Sequence, residues 1–293
     1  MKKISKYLFA CLPFLMVMGI MLLVPNIIMI FLMIFHTSTD YFQGIEAAYS
    51  AYMNNLNLVS VIMYICALIP VGFWYYYKVY KVKKQYKQNW YFRPSGVGST
   101  ALLALGVSHS MSLLFLFLSI LMPKALNNYS ELVESSGMLS YSVIWVFSSL
   151  ILPPLMEEML FRGLIMTMFR RAGATFVVAN ILQAVLFGIF HMNLVQGIYA
   201  FLLGVIMGYL VKQYNTLLAS MTFHALFNFF GTFLTDLENK FFNGYLNFLT
   251  MILGLLLTGF SLYLISRQKL PVRKVTKPVL RQTPYDDWGS YHN

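Results

Sequence analysis

Eight apolar runs constrain this chain more than any other feature: residues 8–35, 56–77, 97–122, 138–156, 174–191, 194–211, 216–233 and 243–266. Each approaches or exceeds the ~20 residues that carry a helix across a bilayer. Composition agrees, with 59% apolar and 11% charged residues and a mean hydropathy of +0.66. A soluble domain carries about 25% charged residues to keep its surface wet. The expectation is an all-α, polytopic membrane helix bundle of about eight transmembrane helices. The fourth run is unusual, because its apolar character continues past two glutamates to Phe169.

Charge distribution predicts the orientation. Cytoplasmic loops carry the excess of Lys and Arg. With both termini cytoplasmic, all but two of the 21 basic residues fall on inside segments, the exceptions being Lys124 and Lys240. The outside loops hold Asp40, Glu46, Glu131, Glu134, Asp236 and Glu238. The formal charge of +11 is thereby read as topology plus attraction to anionic lipid headgroups, with membrane lipids as partners and no nucleic acid. The first run is longer than a signal-peptide core and no small-residue cleavage site follows it, so it is expected to stay in the chain. Cys11 and Cys66 lie within the first two runs, without the pattern of a disulfide framework or metal site.

Three stretches follow along the chain. Residues 1–137 hold N-terminal helices and loops, and 129–137 reads as a polar, acidic external loop. Residues 138–266 form a catalytic membrane core, and 267–293 a basic cytoplasmic tail too polar to pack, expected to be disordered. In the first three runs Asn26 and His109 are polar exceptions, expected to hydrogen-bond a neighbouring helix.

Ionisable groups within a membrane cost at least ~2.5–3.5 kcal/mol each, which makes them candidates for function. In 153–163 two prolines open a helix that carries Glu157, Glu158 and Arg162. Glu158 and Arg162 stand at i and i+4, with the glutamate on the favourable N-terminal side for an ion pair. Glu157 points about 100° away around the helix and has no partner there. The fifth run ends in Phe187-x-x-x-His191, and the seventh places His224 and Asn228 on one face. A carboxylate and an imidazole can hold and deprotonate a water. A second imidazole and an amide NH₂ can donate to an oxyanion.

These motifs, EExxxR, FxxxH and HxxxN in that order, resemble the CAAX prenyl endopeptidase and bacteriocin-processing (CPBP, or Abi) family over about residues 152–233. The resemblance implies that Glu157 and His191 activate water, that His224 and Asn228 serve the oxyanion, and that Glu158 and Arg162 support them, with Phe187 opening the second motif. It also leaves a metal open: no cofactor is favoured, but Zn²⁺ on Glu157, His191 and His224 is possible. Against zinc, the chain has no His-Glu-x-x-His helix, and Asn228 suits an oxyanion better than a metal.

The expected activity is therefore hydrolysis of a peptide bond in a membrane-associated peptide or lipidated, CAAX-like tail, in a bacterial plasma membrane. A non-proteolytic immunity or scaffold protein is the alternative, and an ion-path transporter a third reading, weakened by the lack of an internal repeat. One geometric conflict remains. Counted at ~1.5 Å per residue from the arginines at 170–171, Glu157 lies ~20 Å deep and His191 ~30 Å. A shared water therefore requires a tilted or late-starting fifth helix, and a polar cavity among spans four to seven that opens to the cytoplasm.

Overall fold

The computed structural model describes residues 3–36, 41–81, 91–136 and 141–268. The basic loop 82–90, the boundary at 137–138 and the tail beyond 268 lie outside the described residues. Within them the backbone is helical, without strands. In lipid every backbone N–H and C=O must be satisfied internally, and helices achieve this within one segment.

In chain order the helices are α1 (Ile4–Phe35), α2 (Tyr41–Asn54), α3 (Leu56–Tyr80), α4 (Pro94–Leu121), α5 (Pro123–Ser135), α6 (Val143–Arg171), α7 (Phe176–Phe190), α8 (Leu194–Tyr214), α9 (Leu217–Phe241) and α10 (Gly244–Arg267). Seven of these, all but α2, α5 and α7, are long and apolar enough to cross a membrane. Among the described residues each of the eight apolar runs forms a helix, but the fifth is a 15-residue helix of ~22 Å, short of a ~30 Å core. Residues 129–135, expected as loop, belong to α5. Pro123 starts that helix at its first turn, and the half-buried Ala125, Tyr129 and Val133 recur at helical spacing. Tyr129 stacks on Phe115 of α4 at 6.1 Å. Packing of this face against α4 and α8 outweighs the polarity of the rest.

The core lies in the second half of the chain. Half of the most apolar stretch of α6 is buried by protein, against 11% for α1, so α6 is the central helix and α1 faces lipid. Phe161, Leu160, Leu164, Phe187, Met207 and Phe223 form the core around it. Next to α6, α7 and α8 run antiparallel with their backbones nearly touching: a Cβ on Gly188 would sit 2.7 Å from the carbonyl oxygen of Gly197. Small residues allow such approach, which van der Waals packing rewards in lipid. Polar side chains reinforce the pair, since Asn180 Nδ2 donates to the Val205 carbonyl at 3.0 Å and Gln183 Nε2 to that of Gly204 at 2.9 Å.

His109 behaves as its sequence position suggests. Its Nδ1 bonds the Leu105 carbonyl at 2.9 Å, and its Nε2 lies 3.1 Å from Glu238 at the end of α9. Asn26 does not reach a neighbour among the described residues. Its amide donates back to Leu22 of its own helix at 2.6 Å.

Candidate active site

Two prolines shape the helix that carries the glutamates. Pro153 and Pro154 have no N–H to give, so the hydrogen bonds of the preceding turn cannot continue in α register. The chain answers with a wider π turn at Val146–Ile151, a short α segment at Leu152–Glu158, and a second π turn at Met159–Ile165. Such turns are commonly found at functional sites. Here they set the faces on which Glu157, Glu158 and Arg162 emerge.

All three side chains are buried, with 2%, 0% and 0% exposure, so each charge needs a partner. Glu158 finds two. Its Oε1 accepts from Arg162 Nη1 at 2.9 Å and from His224 Nδ1 at 3.0 Å. The i, i+4 ion pair read from the sequence is therefore present. Glu157 takes different partners. Tyr64 of α3 donates its hydroxyl to Oε1 at 2.6 Å, and His224 Nε2 stands 3.7 Å from Oε2. His224 thus lies between the two carboxylates with one ring nitrogen toward each. With a proton on both nitrogens, the two glutamates, arginine and histidine sum to zero charge, which is how a buried cluster avoids an uncompensated ion.

Phe187 organises the surroundings. The Arg162 guanidinium carbon lies 4.3 Å from its ring centroid, a cation–π contact. Arg162 Nε and Nη2 have no hydrogen-bond partner among the described residues, so the ring face is the contact that receives this part of the cation. The same ring meets His191 at 4.9 Å and His224 at 6.0 Å, both near perpendicular. One phenyl group therefore spaces the arginine and both imidazoles.

His191 caps the C-terminal end of α7. The late start of α7 removes the depth conflict. Counted from Arg171, Glu157 lies ~21 Å in, and counted through the 15 residues of α7, His191 lies ~22 Å in. Its Nδ1 is 2.8 Å from the Phe187 carbonyl. A carbonyl only accepts, so Nδ1 carries the hydrogen and a neutral ring keeps its lone pair on Nε2. The ring is within electrostatic reach of Glu157, His224 and Arg162. Asn228 is placed apart from the carboxylates: its Nδ2 donates to the Ser149 carbonyl in the first π turn at 2.9 Å.

Tyr199 of α8 closes the other side. It is within electrostatic reach of Glu157, and its hydroxyl pairs with that of Tyr129 on α5 at 3.0 Å. Burial pushes the Tyr129 hydroxyl above its ordinary range, with the bond to Tyr199 pulling the other way. Neither this pair nor Tyr64 stood out in the sequence. A tyrosine within an apolar run is a weak signal, though a buried phenol does need a partner.

As zinc ligands, Glu157 Oε2 and His224 Nε2 are spaced to share an ion. His191 does not join them, since no group of three His, Cys, Asp or Glu side chains able to hold a metal occurs among the described residues. The donor set in this arrangement does not fit a zinc site with three protein ligands.

Fold and cluster together define a multi-pass helical membrane protein with a buried carboxylate–imidazole centre. Residues 139–230, which contain every site residue except Tyr64 and Tyr129, match the family model described as type II CAAX prenyl endopeptidase Rce1-like. That stretch is similar to the CAAX protease and bacteriocin-processing family, in agreement with the three motifs. No curated protein and no solved structure matches it. The family match supports endopeptidase activity of the CAAX type within the membrane.

Proposed function

We propose that the chain hydrolyses a peptide bond in a membrane-associated peptide or a lipidated, CAAX-like C-terminal tail by activating water on Glu157 and His191. The observation that carries this reading is the unequal treatment of the two glutamates. Glu158 is neutralised by Arg162 and His224, whereas Glu157 is held through one oxygen by Tyr64. The Oε2 atoms of both glutamates make no hydrogen bond among the described residues. Glu158 shares its charge with Arg162, while Glu157 Oε2 faces His224 at 3.7 Å, which leaves Glu157 Oε2 as the atom placed to accept a proton.

A water that donates one hydrogen to Glu157 Oε2 and the other to His191 Nε2 keeps a lone pair for the scissile carbonyl. Glu157 takes the proton as the oxygen attacks carbon. The negative charge moves to the carbonyl oxygen, where His224 and the second amide hydrogen of Asn228 donate to it. The proton then passes to the amine as the C–N bond breaks. No step in this scheme requires a metal. Glu157, Glu158, Arg162 and His224 are buried whereas His191 and Asn228 are half-buried, so substrate reaches the carboxylates only as the surrounding helices part.

The basic-residue distribution supports both termini in the cytoplasm and a site reached from that side, in a bacterial plasma membrane. The deciding experiment compares the peptides of cells producing the wild-type chain with those of cells producing Glu157→Gln. Products that disappear with the substitution identify the substrate. Identical peptide profiles, with both proteins present in the membrane, would reject the protease reading in favour of an immunity or scaffold role.

A further inference from the structure

Every carbonyl in an α-helix expects a donor at i+4, and in a π turn at i+5. Ser149 has proline at both positions, Pro153 and Pro154. Its carbonyl can be satisfied by neither register, and it lies in helix α6 at membrane depth, where water is not at hand. The structure supplies a donor from another helix: Asn228 Nδ2, at 2.9 Å. The acceptor is a carbonyl, so the atom facing it must be the amide nitrogen.

The same face of α9 carries His224 one turn earlier, bonded to Glu158 and close to Glu157. Helix α9 thus grips α6 at two points that straddle the diproline break. Upstream of the prolines Asn228 holds the Ser149 carbonyl, and downstream His224 meets the carboxylates. The break is anchored on its far side as well, since Ser148 Oγ donates to Asn57 Oδ1 of α3 at 2.9 Å.

We infer that Asn228 is a positioning residue: its side chain replaces the backbone donor that Pro153 and Pro154 cannot supply, and so keeps Glu157 and Glu158 in place against His224. One amide hydrogen is committed to this bond, leaving the other for substrate. The i, i+4 spacing of histidine and asparagine then follows from the need to touch one helix on both sides of a break.

The test is a double-mutant cycle on the full chain. Pro153→Ala/Pro154→Ala returns two backbone N–H groups to the segment. Asn228→Ala, and the near-isosteric Asn228→Leu in case alanine fails to fold, remove the donor in both backgrounds. Three quantities are read: Tm of the purified protein in detergent, and kcat and KM on a farnesylated CAAX-type reporter peptide in proteoliposomes. A loss of Tm and of kcat at Asn228 in the native background, reduced to about half or less in the proline-free background, is the expected result. Equal losses in both backgrounds would overturn the inference, as would a fall in kcat with Tm unmoved, which marks a donor to the oxyanion alone. The kinetic arm rests on the proposed protease reading. If the wild-type chain leaves the reporter uncut, that reading fails for this substrate while the Tm cycle still decides the role of Asn228.

Discussion

Replacing either glutamate with glutamine removes one negative charge, yet the two substitutions act on different bonds. Glu158→Gln leaves Arg162 buried at 0% exposure without its ion-pair partner, and breaking such a pair costs about 3–5 kcal/mol. The expected outcome is a large fall in thermal stability together with lost cleavage. Glu157→Gln keeps an acceptor for Tyr64, so the fold should survive while kcat drops by about 10²–10⁴. Near wild-type cleavage by that protein would remove Glu157 from the mechanism. Tyr64→Phe tests the residue that sequence reasoning missed. It deletes one charge-assisted hydrogen bond, worth about 1.5 kcal/mol or more, so cleavage should fall roughly tenfold or further. Unchanged kinetics in that variant would make the contact incidental.

Among the elements, α7 matters through its shortness and its contact with α8. The helix starts at Phe176, where the side chain of Thr175 accepts from Val178 N, and it ends at His191, followed by Met192 at a positive φ of 51°. That conformation is uncommon for a residue with a side chain, and it turns the chain at once into α8. The depth of His191 is therefore set by where α7 begins. Its lateral position is set by the Gly188–Gly197 crossing, because a Cβ on Gly188 would meet the Gly197 carbonyl oxygen at 2.7 Å. Gly188→Ala should push α7 from α8, lower stability by about 1–3 kcal/mol and reduce kcat as His191 shifts. Normal Tm and normal turnover in this variant would show that the crossing has slack.

At the scale of the whole molecule, topology and metal dependence are the properties to measure. Reporter fusions after Gln268 and after Glu131 should report opposite sides of the membrane, with the first cytoplasmic. Both on one side would overturn the orientation drawn from the basic residues. Protein dialysed against a strong chelator should keep its cleavage activity, because His191 does not close a three-ligand set with Glu157 and His224. Stoichiometric zinc, with activity lost on its removal and restored on its return, would favour the metallopeptidase reading instead.

Much of this architecture was legible in the residues, for definite reasons. Hydrocarbon tolerates only internally bonded backbone, so eight apolar runs had to be helices. An i, i+4 glutamate and arginine had to pair, because spacing along one helix is local geometry. Contacts between helices are not local, and there the sequence is silent. Tyr64 lies 93 positions from Glu157, and as one of 20 tyrosines it carries no mark of its partner. Helix α5 looked like a polar loop because its stability comes from Tyr129 and its neighbours packing on α4 and α8. The bond from Asn228 to Ser149 could not be read either, although Pro153 and Pro154 announced a carbonyl in need of a donor. Sequence determined which groups are expensive to bury. Only the packing of helices that are distant along the chain decided which partner offsets each cost.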